Sequence, residues 1–456
     1  MKKWTPDRRF RFFLLLIVLA ALLIRLACAL PAFRTSGACL LRPDSFTYLK
    51  PSRALITDGA YLTEPGSGIP MTKRPPGFAL LLAVLFALTG DNLLLAAGVN
   101  CLISALTCYP VGWCGRLLAG RRAGYFAAIL FALNLTSLAQ APLILADSVL
   151  GLCCAWALYH VLRCWRKRSV SSYAAACVLL AVGAWFKPVN APMVLGAMPL
   201  LALVFFGFRK KTLAAWGAIA LTFLLLMFPL MLRNYRCGAE FDMDSNRGEM
   251  YYHSGSAILG AATGEDTGVI RDRLARETEA FLAAHRAEYP TVRAQNAYRT
   301  KLYLDLIRQY PGAFLRTHLP QWTMLLPDLP TYLENRGLTV TGRGTLDVLR
   351  KDGVIAALNH YLDGRFGLLL EPLPFLLATA LLYLGSLMLL LIWFRRWKNH
   401  WRLLIVFGIF GFFYLFIGGP VVMPRYQIPA LPMLCAMAGT WFVLLLRKMK
   451  KRLSSV

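Results

Sequence analysis

The sequence predicts an α-helical polytopic membrane protein of about ten transmembrane helices, with a structured first outer loop and a small, mostly helical extracytoplasmic domain. Three observations predict it. The 456 residues are 57% hydrophobic and only 16% charged, whereas a soluble domain is about half apolar and about a quarter charged. Apolar runs of about 17–25 residues recur along the chain, and each can cross a hydrocarbon core about 30 Å thick. The formal net charge of +27 is concentrated in short segments between those runs, as cytoplasmic loops require. That distribution attributes the basic character to membrane orientation and argues against nucleic acid as a partner.

The spans fall near 12–30, 92–115, 123–140, 147–164, 172–186, 188–207, 212–232, 373–394, 403–419 and 428–446, the fifth being short. Arg116, Arg121 and Arg122 follow the second span; Arg163, Arg166, Lys167 and Arg168 follow the fourth. Arg209, Lys210 and Lys211 follow the sixth, Arg395, Arg396, Lys398 and Arg402 the eighth, and Arg447, Lys448, Lys450, Lys451 and Arg452 the tenth. Every second connection is therefore basic, and both termini are expected in the cytoplasm of a plasma (inner) membrane protein. The first run, preceded by Lys2, Lys3, Arg8, Arg9 and Arg11, reads as a retained span, since no small-residue cleavage site follows it.

This topology divides the chain into an N-terminal membrane module, residues 1–232, with an outer loop at 31–91, then an extracytoplasmic domain at 233–371 and C-terminal membrane helices at 372–456. In the outer domain, amphipathic helices are expected at 271–287 and 293–310, the latter stopped by Pro311-Gly312. Of the 11 cysteines, Cys101, Cys108, Cys153, Cys154, Cys177 and Cys435 lie in apolar runs and behave as small hydrophobes. Cys39 and Cys237 are the pair available for a disulfide outside the cytoplasm. No Cys/His spacing matches a structural zinc site.

Chemically useful residues collect on the outer side. The first loop contains Arg42-Pro43-Asp44-Ser45-Phe46-Thr47-Tyr48, then Tyr61, then Lys73-Arg74-Pro75-Pro76-Gly77. Asp44 reads either as a helix N-cap, from Pro-Asp-Ser before an apolar-periodic stretch, or as a functional carboxylate. Asp147 stands between two apolar runs with no other charge nearby; a carboxylate at that depth is costly unless it faces a cavity or a partner. The alternative is again a cap. Lys187 and Arg425 are the charges of their own outer connections and read as interfacial anchors or as site residues. Arg25 is the one clear charge within a span.

Two carboxylates, Asp44 and Asp147, with four cations, Lys73, Arg74, Lys187 and Arg425, suit displacement of a phosphate carried by a lipid. The leaving phosphate needs preorganised positive charge, and the acceptor hydroxyl or amine gains from a carboxylate base.

These stretches resemble the C-type (GT-C) membrane glycosyltransferases, in particular the protein O-mannosyltransferase and lipid A aminoarabinose transferase group. The matching segments are the Asp44-Ser45 loop with Tyr48, closing on Lys73-Arg74-Pro75-Pro76-Gly77; Pro142 through Asp147-Ser148; Arg233-Asn234-Tyr235 followed by Gly238; and Pro424-Arg425-Tyr426 with Pro429 and Pro432. The resemblance implies that Asp44 is the catalytic base or acceptor-orienting carboxylate. It implies that Asp147 is the second outer acid and that Arg74 and Arg425 hold the donor phosphate. Lys73 and Lys187 are further candidates to bind that phosphate, and Tyr48, Tyr61, Arg233, Asn234 and Tyr426 are candidates to contact substrate. Ser45 and Lys73 stand where many relatives carry acids. No metal site is assigned, and a divalent cation is the one candidate cofactor.

The function expected is transfer of a hexosyl or pentosyl unit, with inversion, from a polyprenyl-phosphate donor to a lipid, glycan or protein acceptor outside the cytoplasm. A flippase of lipid-linked sugars and a non-catalytic envelope-glycan assembly protein are the alternatives. A transporter would be expected to show repeats and broken helices with polar residues at mid-bilayer, and the mid-span positions here are almost free of charge.

Overall fold

The computed structural model describes residues 5–34, 37–320, 322–338 and 345–453. The N-terminal half contains α1 (Pro6–Arg34), α2 (Pro43–Thr57), α3 (Gly77–Thr89), α4 (Leu93–Leu106), α5 (Cys108–Ala119), α6 (Arg121–Leu133), α7 (Leu135–Gln140), α8 (Asp147–Lys167), α9 (Val170–Phe186), α10 (Met198–Phe206), α11 (Lys210–Thr222) and α12 (Phe228–Arg236). Then come α13 (Glu249–Thr263), α14 (Thr267–Ala284), α15 (Val292–Gln309), α16 (Pro311–His318), α17 (Leu329–Glu334), α18 (Thr345–Leu362), α19 (Leu373–Arg395), α20 (Trp397–Phe407), α21 (Tyr414–Phe416) and α22 (Leu431–Leu453). Among the described residues the only strand-like pairing is an isolated antiparallel bridge between Leu62 and Pro70.

Among the described residues, eight helices are long and apolar enough to cross a membrane. They coincide with eight of the expected spans; 123–140 and 172–186 differ. In the first, Asn134 turns extended (ψ 123°), and its side chain caps α7 by accepting from the Ser137 amide at 2.9 Å. The expected span is therefore two short helices, because an Asn that satisfies a helix start outcompetes continuation of the preceding helix. The second is α9, of 17 residues. The expected outer loop 31–91 also contains an apolar helix, α3, of 13 residues, about 20 Å long and too short to span alone.

The bundle is held by small residues. A Cβ on Gly439 of α22 would lie 2.5 Å from the Ala123 carbonyl oxygen, one on Gly124 2.5 Å from that of Gly112, and one on Gly115 2.6 Å from Ala123 again. Backbones of α5, α6 and α22 therefore touch, as helices in lipid do when packing rather than the hydrophobic effect joins them. Arg25 is fully buried but not stranded. Its guanidinium donates to Ser104 Oγ (2.9 Å), Ser137 Oγ (2.8 Å) and the carbonyls of Ala21 and Ala132, which joins α1 to α4, α6 and α7.

The 233–371 segment does not share one core. Helices α13–α16 bury Tyr251, Ile258, Ile270, Leu274 and Tyr303 among themselves. In contrast, α17 and the end of α18 pack Tyr332, Leu333, Tyr361 and Leu362 against Leu135 and Ala139 of α7. The expected amphipathic helices are α14 and α15; Pro311 ends the second by starting α16, where its missing amide costs nothing. No disulfide joins Cys39 to Cys237.

The start of α1 and Arg447 of α22 lie at one end of the bundle. Asp7 pairs with Arg116 at 2.7 Å, and Arg116 lines a shallow cavity with Arg121, Arg166 and Arg447. The opposite end carries the start of α8, the end of α9 and the 417–430 connection.

Candidate active site

At that opposite end, two carboxylates and three cations converge. Helix α2 starts at Pro43, and the Ser45 hydroxyl accepts from the Arg42 amide at 3.0 Å. The cap is thus made without Asp44, whose carboxylate projects from the first turn. Its Oδ1 accepts from Arg74 Nη2 at 2.8 Å and its Oδ2 from Arg425 Nη2 at 2.6 Å. Arg74 also donates from Nε to Thr47 Oγ1 at 3.2 Å and lies 5.6 Å from the Tyr48 ring centre. Tyr48 is buried edge-on against Phe78 of α3.

Asp147 begins α8 and is 1% exposed. Lys187, just beyond α9, donates from Nζ to Asp147 Oδ1 at 2.6 Å, while Oδ2 is buried without a partner among the described residues. The turn before Asp147 is fixed by Asn100, which donates to the carbonyls of Leu143 (2.6 Å) and Leu145 (3.2 Å), and by the Ile144 amide bonding to the Leu40 carbonyl. Neither acid is the cap of its helix; both are paired with cations brought from distant parts of the chain.

Arg425 connects the two pairs. Burial opposes its charge, but the carboxylates of Asp147 and Asp44 outweigh that and hold its guanidinium above the ordinary arginine value. Burial pushes Asp44 up, yet Arg74 and Arg425 together hold its carboxyl below the usual range. Burial dominates at Lys187 and lowers it despite Asp147. Arg425 Nε is also buried and has no partner among the described residues. Three cations against two carboxylates leave one positive charge and open hydrogen-bonding capacity, which suits a phosphate. Tyr426 borders the same space, its ring 5.9 Å from Lys187 Nζ and 5.7 Å from the Arg425 guanidinium.

Four of the expected site residues lie elsewhere. Lys73 turns away from the cluster to Glu249, at 2.9 Å on the surface. Tyr61 donates to the carbonyl of Arg74 at 3.0 Å. Arg233 donates to the carbonyls of Met71 and Tyr61, and Asn234 donates to those of Asp242 and Met243. The reason is common to the last three: each satisfies backbone groups of an irregular segment, Tyr61 and Arg233 in the loop that presents Arg74 and Asn234 in the 242–243 stretch.

Other residues complete the site. The 242–249 segment docks on the first loop through Ser245, whose amide bonds the Thr72 carbonyl at 3.0 Å, and Asn246, which donates to the Lys73 carbonyl at 2.8 Å. It carries Asp244 toward Arg74, and burial raises that carboxyl to about 6. Gln427, fully buried, ties the connection after Arg425 to the carbonyls of Met324 and Leu326. The only signal for these in the sequence is the acid pair Asp242 and Asp244 soon after Arg233-Asn234-Tyr235. Among the described residues no group of three or more His, Cys, Asp and Glu side chains is placed to hold a metal ion.

The fold is similar to that of a solved oligosaccharyltransferase. Residues 73–232 match the family model described as dolichyl-phosphate-mannose-protein mannosyltransferase. No curated protein matches the chain. Among solved structures, the oligosaccharyltransferase AglB of Archaeoglobus fulgidus, in complex with an inhibitory peptide and a dolichol-phosphate, is similar over 97% of this chain and 52% of its own, at 13% identity and a TM-score of 0.51. An Archaeoglobus fulgidus oligosaccharyltransferase tethered with an acceptor peptide is similar over 96% of this chain and 50% of its own, at 14% identity and a TM-score of 0.52. ArnT of Cupriavidus metallidurans bound to undecaprenyl phosphate is similar over 94% and 76%, at 16% identity and 0.40. The chain thus spans about half the length of the oligosaccharyltransferase it matches, and at these identities the likeness is one of fold.

Proposed function

We propose that the chain is an integral membrane glycosyltransferase that moves one sugar, a hexose or pentose, from a polyprenyl-phosphate donor to an acceptor outside the cytoplasm, with inversion. In this reading the cluster of Asp44, Arg74 and Arg425 faces outward and the basic end faces the cytoplasm of an inner-membrane protein. The observation that carries the reading is the carboxylate of Asp44 held between two guanidinium groups from opposite ends of the chain, at 2.8 and 2.6 Å.

A clamped carboxylate is a poor proton acceptor, so the resting arrangement calls for an exchange. The donor phosphate takes over Arg74 and Arg425, and Asp44 is freed to accept the proton of the acceptor hydroxyl as it attacks the anomeric carbon. The new C–O bond forms on the face opposite the breaking bond to phosphate oxygen, and polyprenyl phosphate departs with its charge held by the two arginines. Lys187 adds positive charge, while Asp147 keeps it from repelling its neighbours. The donor's isoprenoid tail is assigned to an apolar groove of about 530 Å³ lined by Pro192, Met193, Leu200, Ile409, Phe412 and Phe416. Its two walls lead, through 188–190 and 417–424, to Lys187 and Arg425.

No step is assigned to a divalent cation, because both oxygens of Asp44 face guanidinium groups rather than further carboxylates. A lipid, glycan or protein hydroxyl fits this chemistry. Purified protein in lipid discs should transfer label from a panel of polyprenyl-phosphate sugars to envelope acceptors, and the Asp44→Asn protein should not. Translocation of a fluorescent donor across vesicles without transfer would replace this reading by transport.

A further inference from the structure

The three helical segments that hold the site at one end converge at their other ends on a second cavity, of about 730 Å³. Helix α8 runs from Asp147 to Lys167, the helix after Lys187 ends at Phe206, and the one that leads to Arg425 starts at Trp397. Arg168, Arg209, Lys210, Lys211 and Arg402 line this cavity, and no lining residue is acidic. Positive-inside orientation accounts for cations at this end, but it only requires them to face water. Here Arg209, Lys210 and Lys211 do face water, but Arg168 and Arg402 are half-buried. Arg168 Nη1 and Arg402 Nε are shielded from solvent and have no partner among the described residues. The Arg402 guanidinium lies 4.9 Å from the Trp401 ring centre, and the chain reverses through Arg168 in a left-handed conformation (φ 51°).

Buried donors without acceptors and converging like charges are both unfavourable, and one anion at their centre relieves both. The remaining walls are apolar, from Leu203 to Phe206 and Trp401, and the adjoining Phe208 is 94% exposed at the end of a membrane helix. An anion that brings acyl chains therefore fits better than a free one.

We propose that this cavity binds the phosphate headgroup of an anionic phospholipid from the leaflet at that end of the bundle, with its chains along the 203–206 wall. The site is separate from the glycosyl-transfer reading and stands without it. The test uses purified full-length protein in detergent, titrated with short-chain phosphatidic acid, short-chain phosphatidylcholine or inorganic phosphate, with bound lipid counted by native mass spectrometry. Phosphatidic acid should be retained in preference to phosphatidylcholine, and Arg168→Gln/Arg402→Gln should weaken its affinity by tenfold or more, whereas Arg425→Gln should leave this site's affinity unchanged. Should the half-buried pair prevent folding, Arg209→Gln/Lys210→Gln, both exposed, should still weaken binding severalfold. Equal retention of the two lipids, or unchanged affinity in folded variants of both pairs, overturns the proposal. Millimolar inorganic phosphate that displaces the lipid and depends on the same arginines would overturn the lipid as ligand in favour of a free anion.

Discussion

The Asp147–Lys187 pair gives the sharpest test of how the site is held together. At 2.6 Å and with Asp147 buried, its attraction is about 6 kcal/mol at an effective dielectric constant of about 20. Desolvation of both ions cancels much of this, so the net value of the intact pair is small. Removing one partner is a different matter, because the other charge remains in place without compensation. Asp147→Asn should cost about 3 kcal/mol, since Lys187 would lose its hydrogen-bonded carboxylate beside Arg74 and Arg425 and keep only the more distant Asp44. Lys187→Met should cost a similar amount by leaving the buried Asp147 carboxylate without its hydrogen-bonded cation. The double variant, with neither charge, should lie within about 1 kcal/mol of wild type, a coupling of several kcal/mol. Unfolding of the four proteins in one detergent, followed by tryptophan fluorescence or thermal aggregation, reads this directly. Additive single costs, or singles as stable as wild type, would refute the account of Asp147 as a buried charge neutralised by Lys187.

Asp44→Asn should lower transfer by at least about 100-fold, as expected for loss of a general base, with little loss of donor affinity; labelled-donor binding and turnover measured together check this. Arg425→Gln should instead weaken donor binding by about tenfold or more, the scale of a charged hydrogen bond, and a preserved dissociation constant would remove it from the phosphate site. Gly77→Ala should destabilise by about 1–3 kcal/mol, because the new Cβ would lie 2.6 Å from the Trp185 carbonyl oxygen beside Lys187; differential scanning fluorimetry reads it. Asp244, raised to about 6 by burial, binds a proton more tightly folded than unfolded. Stability should therefore fall as pH rises from about 4 to about 6 and level off above, a slope that Asp244→Asn should flatten. Asp44 acts in the opposite sense: its lowered carboxyl contributes stability at neutral pH that is lost as pH falls below the ordinary carboxylate range.

The sequence by itself determined the membrane architecture, because spans follow from the length of apolar runs, a local property that the bilayer thickness selects. It also singled out Asp44, Asp147, Arg74, Lys187 and Arg425, since a charge near lipid is costly enough to be conspicuous. Where it erred, tertiary context decided. Asn134 broke an apolar run because its side chain preferred to cap α7, and an apolar stretch after Gly77 became a short helix within the first loop. Lys73, Tyr61, Arg233 and Asn234 had the right residue types for a ligand site. Folding committed them to Glu249 and to the carbonyls of 61, 71, 74 and 242–243, partners that no spacing in one chain reveals. That Asp44 is gripped by arginines 30 and 381 positions away was decided by tertiary structure alone, because pairing depends on which helix ends meet and local sequence does not encode that distance.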